Sequence, residues 1–325
     1  MPSRSPWLRR LAAVALAAAA LCAQAAAATG AVREVREFRS GEQRLRIAVE
    51  NAPDPARAAL LQGWMDECVR AALTAFGRLP LARAEVRIRE VPPGRDRSPV
   101  PWGQTRRDAD GVAVLLFVRA DAGLDELRAD WTAVHELAHL FHPFLGSDGR
   151  WLAEGLASYY QNVLRARAGL LGGDEAWRRL EAGFARGRRV GPGARMDAVG
   201  RERAGTMRVY WAGAAYWLDA DVILRRERGS SLDRVLARYA RCCLDGTAEL
   251  SPQQFVAALD RAGGDGVFAR LYREHAGLRE FPSQQASYRA LGLSVEDGRL
   301  RLSPRADAVR LREAIMRAPA APDAR

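Results

Sequence analysis

The sequence predicts an α+β protein with a β-rich N-terminal subdomain, residues 29–119, followed by a mostly helical subdomain, residues 120–280. Apolar and polar residues alternate in Leu45-Arg46-Ile47-Ala48-Val49 and in Ala84-Glu85-Val86-Arg87-Ile88, the two-residue period of a half-buried strand. From Asp125 onward the apolar residues recur at spacings of three and four, the period of a helix. With 325 residues, 48% of them hydrophobic, the chain has enough apolar material for a large core, in one domain or two.

A helix from about Pro55 to Phe76 interrupts the strands. The stretch from Val91 to Arg107, rich in Pro, Arg and Gly, reads as an exposed loop, and Gly111 to Val118 reads as a buried strand because it is continuously apolar. The helix that follows carries Leu127, Trp131, Val134, Ala138 and Phe141 on a core-facing stripe, with His135, His139 and His142 on the stripe beside it. Pro143 ends that helix. Phe144 to Gly149 is rich in turn formers, so a second helix beginning near Arg150 folds back on the first. Helices are expected near 150–166, 174–187, 206–227, 231–243, 252–262 and 265–276, with a glycine-rich mobile connection over 191–205. Residues 281–325 form a C-terminal appendage: a hairpin from Leu291 to Leu302, a short helix from about Asp307, and an Ala-Pro-rich tail expected to be disordered. No internal repeat is present.

The chemistry is concentrated in His135-Glu136-Leu137-Ala138-His139. On a helix, residues four apart stack on one face, so both imidazoles reach one metal ion while Glu136 projects beside them. A straight helix cannot wrap a third residue around the same ion, and Glu154, with fourteen residues between it and His139, is the best candidate on the returning helix. Gly155 beside it permits close helix approach. Two imidazoles and a carboxylate leave one tetrahedral position for water, the donor set of a catalytic zinc site, with Glu136 placed to take the water's proton. The chain has four histidines and three lie within eight residues, which sets the motif apart from a chance match.

These residues resemble the gluzincin metallopeptidases, in which HExxH supplies two zinc ligands and the general base and a Glu on the following helix supplies the third ligand. Trp151-Leu152-Ala153-Glu154-Gly155-Leu156-Ala157-Ser158-Tyr159-Tyr160 looks most like the aminopeptidase N and glycyl aminopeptidase families and the compact peptidase MA-like domains. The run from Val209 to Asp219, with Gly229-Ser230-Ser231-Leu232-Asp233 after it, resembles the Tyr-containing helix and following turn of glycyl aminopeptidases. The resemblance implies a zincin-like fold, one Zn2+ per chain and a peptide or protein substrate. It implies zinc ligation by His135, His139 and Glu154, Glu136 as base, and Tyr210 as the phenol that stabilises the oxyanion. It also implies that the strand just before the zinc helix, Gly111 to Val118, is the sheet edge to which an extended peptide adds. The sequence has no upstream Gly-x-Met-Glu-Asn, the element with which aminopeptidase N relatives bind a free amine, so endo- or exopeptidase action stays open.

Other residues have plainer readings. His142 reads as a helix-end imidazole interacting with the C-terminal dipole, with a metal ligand or a hydrogen-bonding partner of a ligand as the alternatives. Tyr159 and Tyr160 are packing residues or pocket lining, and Ser158 lies one turn after Glu154, within reach of the ligand's surroundings.

Residues 1–28 have the layout of a signal peptide: Arg4, Arg9 and Arg10, an Ala/Leu-rich apolar stretch, then Ala-x-Ala sites. A periplasmic or secreted protein is expected, an uncleaved anchor being the competing reading. Of the four cysteines, Cys22 leaves with the leader, and a bridge from Cys68 to Cys242 or Cys243 suits an oxidising compartment. The net charge is +11, of which the three leader arginines supply three, leaving +8. Every basic residue is arginine and acids are interspersed, so no nucleic-acid partner is expected, only weak association with anionic envelope polymers.

The sequence therefore reads as an exported zinc metallopeptidase. An alternative is a non-catalytic envelope binding or scaffolding protein that retains a structural metal site; its expected signature, a missing base, is not found, since Glu136 is present.

Overall fold

The computed structural model describes residues 32–199 and 205–318. The segment read as a signal peptide, most of the C-terminal tail and part of the 191–205 connection lie outside the described residues. Among the described residues no helix is long and apolar enough to cross a membrane.

The N-terminal part is a five-stranded sheet of β1 (Val32–Ser40), β2 (Gln43–Ala52), β3 (Arg83–Val91), β4 (Trp102–Asp108) and β5 (Gly111–Arg119), in the order β1-β2-β3-β5-β4. β2, β3 and β5 run parallel, while β1 and β4 are antiparallel outer strands. The parallel step from β2 to β3 needs a crossover, and helix α1 (Pro55–Leu73) supplies it. α1 starts cleanly because Asp54 accepts the Arg57 backbone N–H and Pro55 takes the first turn. Its buried side, with Leu61, Trp64, Met65 and Val69, covers the sheet face formed by Ile47, Val49, Val86, Ile88, Val114 and Leu116.

Two rows across that face decide what meets the functional helix. Val49, Ile88 and Leu116 are in register, and the row ends on β4 at Gly103; Ile47, Val86 and Val114 form the next row, which ends at Thr105. The apolar face thus runs out at the edge strand, where a glycine and a hydroxyl replace large aliphatic side chains.

This corrects the expected sheet edge. The strand Gly111–Arg119 lies inside the sheet, flanked by β3 and β4, and the edge is Trp102–Asp108, from the stretch read as a loop. Proline and glycine mask a strand there: Pro101 stands just outside it, and Gly103 is the residue the close approach of the helix requires.

The helix expected over residues 125–142 is also broken. α2 (Leu124–Ala129) and α3 (Thr132–Ala138) are separated at Asp130, whose extended backbone lets its carboxylate accept the Thr132 N–H at 2.7 Å. Trp131 consequently leaves the core stripe and is 43% exposed, whereas Leu127, Val134, Ala138 and Phe141 are buried as expected. A 3-10 turn, His139–Phe141, follows α3, and His142 is extended as a residue before proline must be.

The helical part contains α4 (Arg150–Arg167), α5 (Gly173–Arg189), α6 (Thr206–Glu227), α7 (Leu232–Cys242), α8 (Pro252–Leu259), α9 (Val267–Ala276), α10 (Gln285–Leu291) and α11 (Ala306–Met316). β6 (Leu293–Glu296) and β7 (Arg299–Leu302) form the expected hairpin. α4 is the central helix. Gly155 on α4 faces Gly213 on α6 so closely that a Cβ on Gly213 would lie 1.9 Å from the Trp151 carbonyl oxygen. Tyr159 and Tyr160 are packing residues, donating to Asp221 and Asp233 in a buried network completed by Arg167 and Arg225. The pairing that the sequence leaves open is between neighbours: Cys242 bonds Cys243 at the exposed end of α7, while Cys68 is buried in α1 as a free thiol.

Candidate metal centre

α3 and the 3-10 turn that continues it put the imidazoles of His135 and His139 side by side, ring centroids 5.0 Å apart, and both Nε2 atoms face α4. There Glu154 Oε2 stands 3.3 Å from His135 Nε2 and 3.5 Å from His139 Nε2. The helix turn from α3 to α4 and the Gly155–Gly213 contact together bring a ligand from the second helix to the first.

Glu136 is also near. One ligand atom each from His135, Glu136 and His139 can lie within 4.8 Å of the others, so distance alone does not separate the two carboxylates. Their hydrogen bonds do. Glu154 Oε2 is the oxygen approached by both imidazoles, whereas Glu136 is held by β4: the Thr105 hydroxyl lies 2.9 Å from Glu136 Oε2 and 2.9 Å from its backbone carbonyl oxygen. A Cβ on Gly103 would come within 2.8 Å of Glu136 Cγ, so the strand fits against this side chain only because position 103 is glycine.

The third inward position of β4 continues the pattern. Arg107 donates from one terminal nitrogen to the backbone carbonyls of His139 at 2.5 Å and His142 at 2.8 Å, where the helix leaves its carbonyls without intrahelical partners. Gly103, Thr105 and Arg107, alternate residues of one strand, all touch the functional helix.

Outer partners hold the ligands. His135 Nδ1 is 2.8 Å from Gln161 Oε1 on α4. An amide oxygen only accepts, so His135 carries a proton on Nδ1, and Nε2 is the ring nitrogen that faces Glu154. His139 Nδ1 is 2.9 Å from His142 Nε2, and His142 Nδ1 is 2.6 Å from the Pro143 carbonyl oxygen. His142 is therefore buried against its neighbours and does more than meet a helix dipole. Tyr210, on α6, lies parallel to the His135 ring at 5.9 Å, and Arg150 stands over the Tyr210 ring at 5.9 Å. Trp131 meets the other side of His135 edge-on at 5.3 Å.

Electrostatics follow the geometry. Burial opposes charge on Glu154, but hydrogen bonds and charge from His135 and His139 outweigh it and hold the carboxyl well below its ordinary range. Burial opposes charge on His135 too, and the hydrogen bond and charges of Glu154 and Glu136 leave it raised. Burial and the Arg107 guanidinium push His142 well down. Burial, then Glu154, push the Tyr210 phenol up, so it is a hydrogen-bond donor at neutral pH.

The donors fit zinc: two imidazole Nε2 atoms facing one carboxylate oxygen, and a hydrogen-bonded outer partner on Nδ1 of each imidazole. The structure brings His135, His139, Glu154, Glu136 and Tyr210 together. Sequence reading missed Gly103, Thr105, Arg107 and Gln161. Of these Gln161 had a signal, since it lies seven residues after Glu154, two turns along the same helix face.

Solved structures share this fold. An aminopeptidase N family protein from Idiomarina loihiensis aligns with a TM-score of 0.60 at 12% identity, over 81% of this chain and 50% of that one. A two-domain M1 zinc metallopeptidase bound to L-arginine aligns with a TM-score of 0.53 at 20% identity, over 78% and 53%. An M1 zinc metallopeptidase mutant from Deinococcus radiodurans, bound to a Tyr-Ser-Ala substrate, aligns with a TM-score of 0.51 at 18% identity, over 78% and 53%. The chain spans about half the length of these structures, and at such identities the likeness concerns the fold alone. No protein-family model and no curated protein matches the sequence.

Proposed function

We propose that this protein is a zinc-dependent metallopeptidase in which His135, His139 and Glu154 hold the metal, Glu136 is the general base and Tyr210 the oxyanion donor. The observation that carries this reading is the convergence of both histidine Nε2 atoms on one Glu154 oxygen, with Glu136 beside them but held from another direction by Thr105. Zinc in this cage would supply Lewis-acid polarisation of a scissile carbonyl and lower the pKa of a coordinated water towards ~7.

The chain's own residues then divide the proton chemistry. Glu136 takes the water's proton and returns it to the leaving amine, its orientation fixed by the Thr105 hydroxyl. Tyr210 remains protonated and donates to the developing oxyanion. An extended peptide is the substrate that suits β4, which is paired with β5 on one side only and can accept a further strand on the other. A structural neighbour bound to a Tyr-Ser-Ala substrate supports the same class.

Export is part of the proposal. It is supported by the signal-like leader and by the Cys242–Cys243 disulfide, which suits an oxidising compartment. Recovery of the protein with residues 1–28 still attached and from the cytoplasm would overturn it.

The test of function pairs metal analysis with peptide cleavage. About one zinc per chain is expected in wild type and in Glu136→Gln, with library cleavage lost in Glu136→Gln, and Glu154→Gln should hold zinc more weakly. Undiminished cleavage by Glu136→Gln, or no zinc in the wild type, would overturn the assignment.

A further inference from the structure

We infer that His142 is a positioning residue for His139, the middle member of a relay that runs His139 Nδ1, His142 Nε2, His142 Nδ1, Pro143 O. The inference rests on the metal site proposed above, but its structural half does not need the metal.

The direction of the relay follows from its end. The Pro143 carbonyl oxygen has lone pairs and no proton, so at 2.6 Å His142 Nδ1 must be the donor. In a neutral imidazole that leaves His142 Nε2 as the acceptor, and the only proton available to the 2.9 Å contact is on His139 Nδ1. His139 Nε2, 3.5 Å from Glu154, is then the ring nitrogen left to bind a metal. Both ligand histidines are fixed in the same tautomer, His135 by Gln161 on α4 and His139 by a residue of its own segment.

The backbone is built to place His142 for this purpose. The helix would carry residue 142 onward past the ligand face. Instead the 3-10 turn His139–Phe141 tightens the chain and the following proline extends residue 142, so that the ring swings back against residue 139, edge to face at 5.2 Å. Arg107 pins both ends of the segment by holding the carbonyls of His139 and His142. His142 is 3% exposed, so water does not compete for its Nε2.

Both outer partners are neutral, an amide and an imidazole, where a carboxylate would make the ligand more basic. The relay thus orients the ligand without adding negative charge.

The experiment compares wild type, His142→Ala and His142→Gln in two measurements. Long-range nitrogen-15 imidazole spectra of the metal-free protein read the His139 tautomer. Chelator competition reads zinc affinity, with urea unfolding of the metal-free forms as the control for folding. His139 is expected as the Nδ1–H form in wild type and in His142→Gln, whose amide oxygen restores the acceptor, and as a mixture in His142→Ala. Zinc affinity should fall about 10- to 100-fold in His142→Ala and recover most of that loss in His142→Gln. An unchanged His139 tautomer in His142→Ala would overturn the relay. So would equal weakening in both variants, which would mark a packing role. Absence of zinc binding in wild type with the tautomer pattern intact would leave the relay standing and remove the metallopeptidase reading instead.

Discussion

Gly155 and Gly213 touch backbone to backbone, and this contact sets the distance between the helix that carries Glu154 and the helix that carries Tyr210. A Cβ on Gly155 would lie 2.3 Å from the Gly213 carbonyl carbon, and one on Gly213 would lie 1.9 Å from the Trp151 carbonyl oxygen. Neither neighbour is a side-chain end that could move aside. Gly213→Ala should therefore lower stability by about 1–3 kcal/mol or more, the usual cost of overpacking, and weaken zinc binding because Glu154 and Tyr210 separate. Denaturant midpoints and chelator competition check both effects; an Ala variant with unaltered zinc affinity would show that the helix spacing does not set the site.

The Thr105 hydroxyl is the one polar link from the edge strand to the Glu136 carboxylate among the described hydrogen bonds. Thr105→Val keeps the shape and removes that link. Hydrogen bonds to charged groups contribute about 1.5–3 kcal/mol, so kcat should fall roughly 10- to 100-fold while zinc content stays at the wild-type level. A fall in zinc content would place Glu136 among the ligands instead.

Tyr210→Phe separates an oxyanion donor from a packing aromatic. The ring stays to lie parallel to His135, so folding and metal binding should persist, and kcat should drop by about 100-fold, as for loss of an oxyanion donor. Because burial and Glu154 raise the phenol, the wild-type enzyme should not lose activity through Tyr210 ionisation below about pH 10. A Phe variant with wild-type kcat would return Tyr210 to a structural role.

Asp219, far along α6, carries a prediction about stability and pH. Burial pushes its carboxyl up to about 7, against a hydrogen bond from Ser287 and with repulsion from Glu274 added. Between about pH 4, where an unfolded aspartate ionises, and about pH 7, the native state keeps a proton that the unfolded chain has lost. Stability from this group therefore falls as pH rises through that window and levels off above it. Asparagine does not titrate, so the stability of Asp219→Asn minus that of wild type should increase with pH, by at most about 4 kcal/mol across the window. His275, with Nε2 3.7 Å from Asp219, is pushed down to about 4 by burial and has the opposite slope below its ordinary range, which is why the difference between proteins is the quantity to measure. Urea unfolding of both proteins in steps of about one pH unit provides it, and a flat difference would refute the shift.

What could be read in the sequence was whatever depends on local spacing. Alternation located the strands at Leu45 and Ala84, a continuous apolar run located the one at Gly111, the helical period located the helices from Arg150 to Ala276, and the i, i+4 pair His135 and His139 needed no tertiary information. Gly155 was legible because small residues beside a ligand imply close packing. What depends on pairing was not legible. β4 is identified as a strand by its partner β5, and its own composition, with Gly103 and two adjacent arginines, argues against one. The break at Asp130 turns on one side chain capping a backbone N–H, and the role of His142 depends on the 3-10 turn that directs its ring. Gln161 could have been found by extending the helix face two turns beyond Glu154.

The open side of β4 has a further consequence. Backbone groups left ready for a visiting peptide are equally ready for the same strand of another molecule, and a long, flat, apolar edge would invite chains to stack. β4 has seven residues, and Arg106, Arg107 and Asp108 follow one another at its far end. In the proposed peptidase, that shortness and charge would leave room for a single peptide along the strand while discouraging the protein from aggregating through the same opening.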